Sequence, residues 1–188
     1  MAASVDNALA ALRLLYAGFY DEPLGLARQI GERANLLQLF VADETSIIEW
    51  RQLDDKRRRQ RFKAVDVRLR LEKLGDVPVV HADHYRVLSS YGIHPGGPPQ
   101  YFGEDFPPTP GGHFRLRGMM MSLSELAYVV SAVSGFGPYL LGSNDQIPLD
   151  RIAAVGRALI SEQQNLQFVL EDWLSQTDTE TEDPPLDR

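Results

Sequence analysis

Apolar residues recur every three or four places through the first forty positions, and only a few residues separate the two runs. Val5, Ala8, Leu9, Leu12, Leu15, Tyr16 and Phe19 fall on one helical stripe, which predicts a helix from Val5 to Tyr20. "DEP" at 21–23 restarts the chain, because acidic residues and a proline suit a first helical turn. The second helix reaches about Val41, with Leu26, Ile30, Leu37 and Phe40 inward. So short a link between two long helices predicts an antiparallel pair.

The same periodicity continues. Ser46 and Glu49 have the spacing of a capping box, opening a third helix that can run to Leu74 with Gly75 as its stop. Ile47, Trp50 and Leu53 form one apolar patch on it; Phe62, Val65 and Leu69 form another. Between them lies the charged stretch "DDKRRRQR", through which one helix passes or at which it bends. His84 to Tyr91 is a short fourth helix. Residues 92–118 then hold seven glycines and six prolines, a long loop of the kind that is functional or disordered. "HFRLRG" alternates and suggests a brief strand. Ser122 and Glu125 make a second capping box, and the helix after it carries Leu126, Val129, Val130 and Val133 to a "GFGP" stop. A sixth helix is expected from about Pro148 to Leu174, with Ile152, Val155, Leu159, Leu166, Val169 and Trp173 on its apolar side. The expected fold is an all-α, single-domain bundle of about six helices over 1–176, followed by a disordered acidic tail at 177–188.

Composition narrows the function. At 188 residues one domain suffices. The absence of cysteine removes disulfides, thiolate metal sites and cysteine nucleophiles. A net charge of −7 argues against a general nucleic-acid binder, and no DNA partner is expected. Leu126 to Asn144 is uncharged, near the length of a bilayer span. Ser131, Ser134, Gly135, Gly137 and Pro138 interrupt it, so a buried helix is the expectation, with no membrane partner and a cytoplasmic location. There is no phosphate-binding Gly-Lys-Ser/Thr loop, GxSxG elbow, HExxH or EF-hand loop. No cofactor or metal is expected.

A few residues can carry chemistry. His94 follows the helix stop at Gly92 and precedes Pro95. It serves either as punctuation beside a helix C-terminus or as a proton-transfer group beside a glycine-rich loop. His81 and His84 have metal-compatible spacing, but surface histidines at a helix start are commoner. Arg28 and Glu32 form either a solvated intrahelical pair or an inward pair, in which case Arg28 needs a partner among the helices. Lys56, Arg57, Arg58, Arg59, Arg61 and Lys63 form the strongest basic run; such runs are more often solvated than functional, and Asp54 and Asp55 dilute this one.

Two stretches, "ALAALRLLYAGFYDEPLGLARQIGERANLLQLF" and "YRVLSSYGIHPG", resemble uncharacterised bacterial proteins with a HEPN-like helical bundle. Those pair an Arg-x-x-x-Glu, here Arg28 and Glu32, with a Tyr…Leu-Ser…His-Pro segment, here Tyr85, Leu88, Ser89, His94 and Pro95. The resemblance covers roughly residues 8–95. It implies a homodimer or a protein partner, and a stress or defence setting. Many relatives are metal-independent ribonucleases with an Arg-x(4–6)-His motif, which makes RNA a candidate ligand. Here seven residues separate Arg86 from His94, a longer spacing than that motif. The expected site groups His94, Arg86 and Arg28 as catalytic candidates, with Glu32, Tyr85, Ser89 and Tyr91 as binding residues. Three readings follow: a non-enzymatic binding module, an endoribonuclease using His94 and an arginine, or a structural subunit docking through 92–118.

Overall fold

The computed structural model describes residues 2–92 and 116–141, together with Ser161, Gln164, Asn165 and Phe168. Among them the chain is all-α, with seven helices: α1 (Ala2–Tyr16), α2 (Asp21–Ala42), α3 (Glu44–Gln52), α4 (Asp55–Arg61), α5 (Ala64–Lys73), α6 (Ala82–Gly92) and α7 (Leu116–Leu141). The four isolated residues, inside the expected sixth helix, are helical and exposed. His94, most of the 92–118 loop and the 177–188 tail lie outside the described residues.

α2 is the axis of the bundle, packed chiefly against α7 and α1, then α6 and α5. Its N-terminal two-thirds supplies Leu24, Ala27, Ile30 and Ala34 to a core shared with Ala11 and Leu15 of α1, Leu88 of α6, and Leu126, Val129 and Val133 of α7. Its C-terminal end gives Leu39 and Phe40 to a second core with Phe62, Val67 and Leu71. Each buried Leu, Ile, Val or Phe side chain contributes about 1.5–3 kcal/mol over its exposed state, and each alanine methyl less.

The first helix ends earlier than its periodicity implies. Gly18 takes a positive φ of 81°, a left-handed conformation that costs glycine least. The expected stripe holds in part: Leu15 is buried and Ala8 and Leu12 pack against the core, but Ala11 is buried too, and Val5, Leu9 and Tyr16 are exposed, Tyr16 by 80 %. The small side chain at Ala11 lets α1 approach α2 closely.

Residues 44–73 form three short helices rather than one. Phe40, Trp50 and Phe62 meet edge to face, with Trp50 and Phe62 centroids 5.2 Å apart. In a continuous helix positions 50 and 62 would sit about 18 Å apart along the axis. Burying both rings at one spot therefore requires breaks, which fall at Leu53–Asp54 and Phe62–Lys63. Asp54 caps α4 by accepting from the Arg57 amide at 2.8 Å. Asp43, not Ser46, caps α3: it accepts from the Thr45 amide at 3.0 Å, and the Ser46 hydroxyl donates to it at 2.6 Å. On α5 the inward residues are Val67 and Leu71, and Val65 and Leu69 face out. Gly75, with φ 86°, follows the end of α5 as expected.

α7 also departs from expectation. It begins before Ser122 and continues through Gly135 and Gly137 to Leu141, so neither the second capping box nor the "GFGP" stop marks an end. Leu116–Gly118, the described part of "HFRLRG", is helical. Ser122 instead donates to the Tyr20 carbonyl at 2.9 Å, tying α7 to the α1–α2 turn. By length and composition, Gly118–Gly137 is apolar enough to cross a membrane; here Leu126, Val129 and Val133 on this helix lie in the core shared with α2.

Candidate functional site

The segment before α6 is held by side chains rather than by a backbone ladder. Asn35, buried on α2, donates to the Val80 carbonyl at 2.9 Å and accepts from the Val80 amide at 3.0 Å. One turn on, Gln38 donates to the Val77 carbonyl at 2.9 Å and accepts from the Val79 amide at 3.2 Å. The Tyr128 hydroxyl of α7 donates to the Val79 carbonyl at 3.0 Å. Gly31 makes this approach feasible, since a Cβ there would overlap the Val80 side chain. The Asn35 clasp satisfies the buried Val80 amide and carbonyl, which unpaired would cost about 1–3 kcal/mol each. Together the clasps fix where α6 begins, and hence which residues it presents to α2.

α6 presents Tyr85 and Ser89 to Arg28. The Arg28 guanidinium lies over the Tyr85 ring, 4.6 Å from its centroid. Its Nε donates to Glu32 at 3.0 Å and its Nη1 to the Ser89 hydroxyl at 3.4 Å. Ser89 in turn donates to the Tyr85 carbonyl at 2.6 Å. The Arg28 and Glu32 side chains are 21 % and 31 % exposed, so both sequence alternatives hold together: the intrahelical pair forms, and it faces a neighbouring helix. Arg68 of α5 lies over the same Tyr85 ring at 4.7 Å. The Tyr85 hydroxyl is pushed above its ordinary value, first by burial, then by the nearby Glu32 carboxylate, with Arg28 pulling the other way. It therefore remains a neutral phenol between two cations.

Four predicted site residues thus come together: Arg28, Glu32, Tyr85 and Ser89. Arg86 does not join them. Its side chain is 74 % exposed and pairs with Asp83, also on α6; its neighbour Tyr85 takes the inward direction, and adjacent helical positions point about 100° apart. Tyr91 lies in the last turn of α6, and His94 lies outside the described residues.

Beside Glu32 a cleft of about 390 Å³ opens between α2 and the start of α5. Leu36, Phe62, Ala64 and Val67 line it with apolar surface, and Gln29, Glu32 and Arg33 with polar groups. Arg33 donates to the Ala3 carbonyl at 3.1 Å.

Two features were not anticipated from sequence. Arg68 carries no local signal, because its ring partner lies seventeen positions on and across the Gly75 turn. His84 is a half-buried link rather than a surface residue: its Nε2 lies 2.6 Å from Glu125 on α7, and its ring packs beside Tyr128 at 5.7 Å. The bond to Glu125 raises the His84 pKa above the ordinary imidazole value, against the opposing effect of burial. Among the described residues no cluster of His, Asp and Glu is arranged to hold a metal.

Half of the basic run is paired, and Lys56, Arg59 and Lys63 are exposed. Arg58 donates to the Trp50 carbonyl at 2.8 Å and stacks on that indole at 5.5 Å. Arg57 pairs with Asp54, Arg58 with Asp55, and Arg61 with Glu49. No family model matches the chain, and neither a curated protein nor a solved structure matches it.

Proposed function

We propose that the protein is a non-enzymatic, HEPN-like binding module, and that the Arg28–Glu32–Tyr85–Ser89 cluster is its recognition site. A bacterial stress or defence setting comes with the HEPN-like resemblance. The observation that supports the reading is the inward course of Arg28. A guanidinium withdrawn from water is retained where it has partners, and here it has a carboxylate, a hydroxyl and a ring. Binding is favoured over cutting by the setting of the two arginine candidates: Glu32 and Ser89 engage Arg28, and Asp83 engages Arg86 at the surface. Neither is a free cation positioned for developing phosphorane charge.

The test uses four small aromatic probes: benzoate, phenyl phosphate, benzyl alcohol and benzylamine. Amide chemical shifts of isotope-labelled protein are followed during titration. At least one probe is expected to shift the Glu32 and Ser89 amides, and Arg28→Lys, which keeps the charge but not the planar fork, should weaken that response. Shifts confined to other helices, or none with any probe, would overturn the reading. Single-stranded RNA incubated with the protein in the presence of a chelator should stay intact; cleavage that His94→Ala abolishes would replace binding with catalysis.

A further inference from the structure

Arg68 is the least compensated cation near the cluster. Its guanidinium stacks on Tyr85, and among the described residues it forms no ion pair or hydrogen bond that would occupy its donors. Arg28 over the same ring is at least paired with Glu32. The two guanidinium groups can be no further apart than the sum of their distances to the ring centroid, 4.6 and 4.7 Å. That bound is comparable to the screening length, about 10 Å at 0.1 M ionic strength and about 8 Å at physiological salt. Arg33 at the adjoining cleft is bonded to a neutral carbonyl, so its charge is likewise not cancelled. Arg33 lines the cleft, and the other two arginines adjoin lining residues: Arg28 is paired with Glu32, and Arg68 follows Val67 on α5. Glu32 is the single carboxylate among the lining residues, in a chain whose net charge is −7.

The cleft itself is not polar throughout. Leu36, Phe62, Ala64 and Val67 give it an apolar floor, and about 390 Å³ is within the range of small-molecule sites. A guanidinium offers paired donors that match the two oxygens of a carboxylate or phosphoryl group. The Tyr85 ring holds Arg68 in place without consuming those donors, since a cation–π contact uses the face of the group and leaves its N–H edge free.

From this juxtaposition we propose that the site takes a small amphiphilic anion: a compact apolar or planar body seated on Phe62 and Val67, with a terminal oxyanion held by Arg68 and shared with Arg28. This rests on the recognition-site reading above and adds the ligand class and Arg68 as the principal anion-binding residue. Glu32 orients Arg28 and repels an anion from its own side, directing the charged end toward Arg68.

The same four probes separate this proposal from its premise, with inorganic phosphate as a fifth. Phenyl phosphate and benzoate are expected to bind at least tenfold more tightly than benzyl alcohol or benzylamine at low salt, with the preference shrinking as salt rises. Arg68→Gln should remove that preference, Arg68→Lys should retain part of it, and Lys73→Gln, a basic residue on the same helix outside the cleft lining, should leave it unchanged. Circular dichroism melting of Arg68→Gln checks that the fold survives. If benzyl alcohol or benzylamine shifts the Glu32 and Ser89 amides as strongly as the anions, the anion proposal fails while the recognition site stands. Undiminished anion binding in Arg68→Gln would overturn the role given to that residue. Inorganic phosphate binding as tightly as phenyl phosphate would show that the apolar floor contributes nothing, against the amphiphilic ligand.

Discussion

Among the described residues arginines lie over the rings of Trp50, Phe62 and Tyr85, and the Trp50 and Tyr85 arrangements differ in what they leave over. On Trp50, Arg58 is spent on structure: its Nε holds the Trp50 carbonyl, its Nη1 pairs with Asp55, and the indole covers its face. On Tyr85, two arginines share one phenol, and among the described residues the only carboxylate paired with either is Glu32. The Trp50 stack lies in the densest basic stretch of the chain, whereas Arg68 stands outside it. Linear charge density therefore points to a region where three of the six cations are already paired and the others are solvated. Spare cationic capacity arises where helices remote in sequence converge on one ring.

The largest expected effect is on the structural side of that contrast. Trp50→Ala removes the middle ring of the Phe40–Trp50–Phe62 cluster and the platform of Arg58, and should cost about 3 kcal/mol in denaturant unfolding. Ligand binding at the cleft should change only through Phe62. Tyr85→Ala comes next, at about 2 kcal/mol, because the ring is half-buried and both guanidinium groups lose their platform. Unlike the Trp50 change, it should also abolish the amide response to phenyl phosphate. If the two substitutions proved interchangeable in both assays, the distinction between a structural and a receptive stack would fail.

A smaller effect is expected from pH, acting through the helix that carries Tyr85. The His84 pKa is raised in the folded state by Glu125. Its contribution is therefore fully present below the unfolded imidazole value of about 6.5 and is lost as pH rises through the raised value. Melting temperature should fall on going from about pH 6 to about pH 9, and Glu125→Gln should flatten that fall, by about 1 kcal/mol for a partly exposed pair. An unchanged slope in the variant would remove His84 from the docking of α6. The smallest stability effect belongs to Arg68→Gln, about 0.5 kcal/mol from one exposed cation–π contact, paired with the largest loss of anion preference. A change that barely moves the melting curve yet removes selectivity is the signature of a group held for something other than folding.

The all-α class was legible because helical periodicity is a local property, read within a few turns of any residue. Gly75 was legible for the same reason. Phase and breaks were not. Three- and four-residue spacing puts Val5, Leu9 and Tyr16 on the α1 stripe and passes over Ala11, yet Ala11 is fully buried and those three are exposed. The breaks at Leu53 and Phe62 follow from a three-ring contact that no local window contains. Ser122 and Glu125 imitate a capping box while bonding instead to Tyr20 and His84, residues far away in sequence. Of the candidate site, Arg28 with Glu32 was readable from its spacing, and Tyr85 with Ser89 only from a resemblance of the sequence segment that holds them. The convergence of Arg68 on Tyr85 depends on the turn at Gly75 and on the approach of the following segment to α2.

That segment has a consequence for how the chain tolerates change in length. Asn35 and Gln38 grip residues 77–80 at four backbone atoms, which sets the rotational phase of everything downstream in α6. One residue inserted between Val80 and His81 would leave all four grips closed while advancing α6 by about 100°. Tyr85 would then swing off both guanidinium groups, His84 off Glu125, and Leu88 out of the shared core. Selectivity and packing would be lost together, so length variation should be poorly tolerated at this one junction.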